Sequence, residues 1–216
     1  GGEAAQGREH RRPLDFGDRA AIELRELYVQ GKIGPAWLRV GKQQVVWGQA
    51  DGLKVLDVVD PQDFREFILP SFEDSRIPLW TLNGEIPIGA AQLQLLWIPD
   101  PSAHHLPPQD GTFAFTAPRL VGRRTPPGVA VDLRDPDLPS HALHNSDAGA
   151  RLTAFWHGFD LSANALWHWE DIPIAFRRID LGGAVPTVVV EPGYRRTAVL
   201  GGSASNAFGN LTVRGE

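Results

Sequence analysis

Residues 159–169 read Phe-Asp-Leu-Ser-Ala-Asn-Ala-Leu-Trp-His-Trp. Phe159, Leu161, Ala163, Ala165, Trp167 and Trp169 fall on one face of an extended chain, and Asp160, Ser162, Asn164 and His168 fall on the other. Leu166 alone breaks the alternation. A side-chain period of two assigns each set to its own side of a sheet. The eleven residues also match the roughly 9–11 tilted residues that a strand needs to cross a bilayer.

Working outward, the same alternation recurs. Ile22 and Leu24 stand against Glu23 and Arg25 in a strand expected over 19–30, with a phase slip near Glu26 that reads as a bulge. A turn over 31–35 leads to a strand over 36–47, where Ala36, Leu38 and Val40 oppose Arg39 and Gln43. Further strands are expected over 78–86, 91–98 (Leu93, Leu95 and Trp97 against Gln92 and Gln94), 149–157 and 194–208, with an eighth beginning at Leu211. Between them, tight turns at 31–35, 87–90, 157–159 and 208–210 alternate with long loops after Trp47, Ile98 and Trp169. Asp60 and Pro61 sit as N-cap and first-turn residues before a short helix expected over 62–69.

Strict short-long alternation is the habit of bacterial outer-membrane barrels, with tight periplasmic turns and long outer loops. The expected fold is therefore an all-β, antiparallel up-and-down transmembrane β-barrel of at least eight strands. We read residues 1–216 as a single barrel domain, truncated at both ends, in the bacterial outer membrane. The absence of Met and of an opening signal segment suggests a piece of a longer parent. Tryptophans at strand ends, Trp47, Trp97, Trp156, Trp167 and Trp169, suit aromatic girdles, although core packing would place them equally well.

Composition agrees. Mean hydropathy is negative and no run of 18 apolar residues occurs, which excludes a helical membrane protein but not a barrel, whose strands average near neutral. A net charge of -5 without a basic stripe argues against nucleic acid, and zero cysteines excludes disulfides and thiolate metal sites.

Three segments are more particular: 41–63 (Gly41-Lys42-Gln43-Gln44-Val45-Val46-Trp47-Gly48-Gln49-Ala50-Asp51-Gly52, continuing through Val55-Leu56-Asp57-Val58-Val59-Asp60-Pro61-Gln62-Asp63), 72–80 and 93–99. Together they resemble the family called domain of unknown function thirteen-oh-two, porin-like outer-membrane proteins of Gram-negative bacteria. The specific likeness covers roughly residues 20–100, and beyond 150 it is generic barrel pattern closing on Arg214-Gly215-Glu216. The resemblance implies a longer parent and no catalytic residues.

Parity nominates a pore-lining set of Arg39, Gln43, Gln92, Gln94, Arg151, Thr153, Asp160, Ser162, Asn164 and His168. A candidate constriction lies in the first long loop, with Asp51, Asp57, Arg65 and Arg76, where arginines beside a pore would present a fork of donors to anionic solutes. The local alternative is that Asp60 caps a helix, Asp74 pairs with Arg76 and the remainder are solvated. His104, His105, His141, His144 and Asp147 include short imidazole spacing, but their irregular surroundings offer no ligand geometry, and we expect no metal and no cofactor. No nucleophile elbow or phosphate loop is present, and adjacent Glu170 and Asp171 would diverge on a strand, so we expect no enzyme. The expected function is passive or substrate-selective diffusion of an unidentified small solute, with outer-membrane lipid as the surrounding partner. The rival is a soluble β-sandwich or small barrel binding a carbohydrate or a lipid, whose apolar faces meet in a dry core while the tryptophans line a groove.

Overall fold

A computed structural model describes residues 14–15, 21–48, 55–66, 69–71, 73–107, 112–114, 128–134, 139, 143–183 and 185–216. Among these the fold is all-β. After two short paired strands, β1 (Leu14–Asp15) and β2 (Ala21–Ile22), come β3 (Leu27–Ile33), β4 (Ala36–Gln43), β5 (Leu79–Ile88), β6 (Ala91–Ile98), β7 (Ala130–Leu133), β8 (Asp147–Trp156), β9 (Phe159–Trp169), β10 (Ile174–Asp180), β11 (Thr187–Gly193), β12 (Arg196–Phe208) and β13 (Leu211–Gly215). Eight of them form one antiparallel sheet in the order β3-β4-β5-β6-β8-β9-β12-β13, each strand beside its neighbour along the meander. The outer strands β3 and β13 do not pair with each other among the described residues, so the sheet is open.

The hairpins follow from turn chemistry. Gly34-Pro35, Gly89-Ala90, His157-Gly158 and Gly209-Asn210 are two-residue connections, each with positive φ at its first residue. Such turns match the twist of paired strands. The first strand differs from expectation: it is interrupted over 23–26 and resumes to reach Ile33, which shortens the expected turn to two residues. The apparent bulge at Glu26 is this interruption, where the Arg25 guanidinium leaves to donate to the carbonyls of Glu73, Asp74 and Arg76.

Of the helix expected over 62–69, the described residues 62–66 and 69 are not helical. Gln62 bridges Arg76 and Asp63 bridges His105, while Pro61 O accepts Ile77 N–H, so backbone groups find distant partners instead of helical ones. Asp60 caps nothing, because its carboxylate accepts the Val45 N–H at 2.8 Å. The long loops also contain strands that the period-two reading missed. β11 carries a continuous Val188-Val189-Val190 run and pairs antiparallel with β10 and parallel with β7, forming a separate three-stranded sheet.

The loops after β4, β6 and β9 lie at one end of the sheet and knit together. Phe64 N–H donates to His105 O, His105 N–H to Gln62 O, and His104 N–H to Asp171 O. The first of these loops also turns back over the sheet. Val45, Trp47 and Val59 pack on Leu79, Leu96, Ile98 and Leu166 to make the principal buried apolar cluster, with Val58 and Val199 at its margin.

Candidate functional site

Register sorts the side chains across the meander. On one face, Leu38, Gly84, Leu95, Ala150, Ala165 and Leu200 align in a row over six strands. The adjoining row is Val40, Leu82, Trp97, Ala148, Trp167 and Ala198. This face is apolar and exposed: Leu200 is 80% and Trp167 50% accessible. The opposite face carries Glu85, Gln94, Arg151, Asn164 and Gly201 in one row and Gln92, Thr153, Ser162 and Ser203 in the next. Asn83, Asn164, His168 and Ser203 of this polar face are buried. The usual relation of a soluble sheet, apolar side covered and polar side wet, is therefore inverted.

All ten residues nominated by parity share that polar face. Arg39 pairs with Asn83 and Gln43 with Leu79 in the register, and Asp160 and His168 continue the series of Ser162 and Asn164 along β9. They differ in surroundings. Towards the short turns, Arg39 donates to Gln30 Oε1 at 3.2 Å, Gln92 to Glu85 Oε2 at 2.8 Å, Thr153 to Gln92 O, and Ser162 shares a 2.7 Å contact with Ser203. Asp160 is exposed there. Towards the loops, Gln43, Asn164 and His168 are buried, and Gln43 donates to Thr81 O.

What covers this end is the first loop. Trp47 is 1% accessible and donates from Nε1 to Gln94 Oε1 at 2.8 Å. Its ring rests over Gly149, where a Cβ would lie 2.9 Å from it, and Leu56 rests over Gly201, where a Cβ would lie 2.3 Å from the leucine methyl. Both glycines are backbone floor for the loop's side chains. Leu166, the exception in the alternation of β9, is explained the same way: together with Leu96 and Val199 it lies on the polar face beneath the loop. Sequence reasoning missed this patch, although its signal was present as apolar and glycine interruptions of the polar parity near the loop-proximal strand ends.

Trp47 is accordingly a buried loop anchor and belongs to no girdle. Trp97, Trp156 and Trp167 are exposed on the apolar side or at its margin, and Trp169 is half-buried with the Arg196 guanidinium 5.1 Å from its ring centre.

Of the described constriction candidates, Asp57 and Arg76 meet each other and Arg65 stands apart. Arg76 is buried and pairs with Asp57 at 2.8 Å inside the loop, so neither group faces an opening, and Asp74 accepts from Ser71 instead of pairing with Arg76. Arg65 lies in a separate exposed turn, gripping Asp63. Asp51 lies outside the described residues. Burial alone would raise the Asp63 carboxyl, but hydrogen bonds from His105 and Arg65 hold it well below the usual carboxylate range. Asp60 goes the other way: burial pushes it well up, the Val45 N–H opposes, and the Asp57 charge adds to the rise. Asp171 is pushed up to about 8 by burial and by the charges of Asp147 and Glu170.

His104 Nδ1 accepts the Gln62 N–H and His105 faces Asp63, while His141 lies outside the described residues. Among the described residues no three His, Asp or Glu side chains converge as metal ligands.

No curated protein matches the chain, and no solved structure does. A family model does match, over residues 9–216, and extends the likeness from the loop-rich first half across β8 to β13. The chain belongs to the family described as protein of unknown function (DUF1302).

Proposed function

We propose that this chain is a wall-forming part of an outer-membrane β-barrel that conducts small solutes, with the loop after β4 folded inward as a constriction. The observation that carries the reading is the inversion of the sheet: exposed apolar rows across six next-neighbour strands on one side, and on the other a polar surface that is covered towards the loops. Lipid satisfies such an outer face, and a hydrated lumen satisfies the inner one.

Dimensions support it. Trp80, Trp97 and Trp167 mark the loop-proximal end of the exposed face, and Trp156, Phe159 and Phe208 the turn end. From Trp167 to Phe159 along β9 is roughly 26 Å at ~3.3 Å per residue. With strands tilted by about 35–45°, this becomes ~20 Å along the membrane normal, close to the ~25 Å apolar band of known barrels. The inward loop narrows the polar side where Trp47 and Leu56 stand over Gly149 and Gly201. Passage is then by diffusion through the polar rows left open towards the turns.

The full-length chain tests this. We expect it to require detergent, to migrate differently in a denaturing gel before and after heating, and to conduct KCl in a planar bilayer. A monodisperse, detergent-free protein that does not conduct would refute the channel and favour a soluble binding domain.

A further inference from the structure

We propose that Arg151 and Asn164 form a recognition subsite for a small hydroxycarboxylate beneath the inward loop. The two residues are direct cross-strand partners on the polar face, flanked by Gln94 on β6 and Gly201 on β12. Asn164 is 7% accessible, and neither its amide oxygen nor its amide nitrogen meets a hydrogen-bond partner among the described residues. Arg151 spends Nη1 on the Val46 carbonyl at 3.3 Å, while its Nε is buried without an acceptor among the described residues. Buried polar atoms in folded proteins are overwhelmingly paired, so three such atoms on two adjacent side chains call for a partner.

The surroundings are built. Gln94 is fixed from both sides, accepting from Trp47 Nε1 at 2.8 Å and donating to Asn83 Oδ1 at 3.1 Å, which leaves its neighbour Arg151 in a rigid frame. Trp47 over Gly149 and Leu56 over Gly201 roof the spot with apolar surface. Asn83, which accepts from Gln94, borders a cavity of about 240 Å³ lined also by Gln30, Trp37, Leu38, Arg39 and Glu85.

The donor set selects the ligand class. A guanidinium edge beside a primary amide presents N–H groups to a carboxylate, and the Asn164 carbonyl remains to accept a hydroxyl of the same solute. The Glu216 carboxylate, which accepts the Leu56 N–H at 3.0 Å, also acts on Arg151 electrostatically. A solute carboxylate competes with it, which keeps binding weak enough for release, as conduction requires. The inference rests on the channel reading for its role in transport, but binding is measured apart from conduction.

Lactate is the probe and lactamide its uncharged counterpart, with affinity read by ligand-observed NMR on the full-length chain in detergent. Lactate binds, lactamide does not, and Arg151→Gln weakens lactate at least tenfold. Leu152→Val, on the outer face, leaves it unchanged. Should Arg151→Gln fail to fold, Glu216→Gln replaces it and tightens lactate at least threefold. Equal lactate affinity in wild type and variant, or lactamide binding as tightly as lactate, overturns the subsite. KCl conductance without lactate binding discards the subsite and keeps the channel, whereas lactate binding without conductance keeps the subsite and discards the channel.

Discussion

Trp47→Ala isolates the inward loop. The indole is buried against the Leu96, Ile98 and Leu166 cluster, rests on Gly149 and holds Gln94 through its N–H. Removing a buried tryptophan costs about 3–5 kcal/mol, including the cavity left behind. If the loop is a separable element docked on a sheet that stands without it, that energy goes into local undocking. At a factor of ten per ~1.4 kcal/mol, the docked fraction's advantage shrinks roughly 150- to 4,000-fold. Hydrogen exchange reads this directly. The Val45 amide is protected by Asp60, so it and the peptides over 55–60 should lose protection by that factor. Ladder amides of β8 and β9 should keep theirs, and conductance should rise. Equal loss in loop and strands would show that Trp47 is inseparable from the global core, and unchanged loop protection would show that the roof is not anchored there. Either result refutes the docked-loop account.

Three further outcomes follow from the same geometry. Ala165→Arg, in the middle of the exposed row between Ala150 and Leu200, should cost about 2–4 kcal/mol in a bilayer-refolding titration if it faces the hydrocarbon midplane; a neutral result would deny that this face meets lipid. Arg76→Met leaves Asp57 buried and unpaired and should destabilise the loop by about 3–5 kcal/mol, with stability largely restored in the Asp57→Leu/Arg76→Met double variant, as measured by loop hydrogen exchange. The docked loops should also loosen as pH rises. Asp171, pushed up to about 8, and Asp60, raised in the same direction, hold protons in the folded state that the unfolded chain releases near pH 4. Stability from Asp171 therefore falls between pH 4 and 8 and levels off above that window. Limited proteolysis of the loops at pH 5 and pH 9 checks the sign, and Asp171→Asn should flatten the dependence.

The sequence by itself determined the meander and its two faces. Alternation in β4, β6, β8 and β9 and the glycine-bearing turns at 34–35, 89–90, 157–158 and 209–210 are local signals, read within a few residues, and they put all ten nominated polar residues on one side of the sheet. What lies between strands was not legible in this way. The expected helix after Asp60 gave way because Val45, Ile77 and His105 supplied its backbone and carboxylate with remote partners. Arg76 met Asp57 rather than an opening. The β7-β10-β11 sheet draws strands from two different loops. Only tertiary structure decided where the first loop goes, since that depends on Trp47 finding Gly149 and Leu56 finding Gly201 across the chain, contacts whose energy is set by shape and burial and leaves no periodic mark in the sequence.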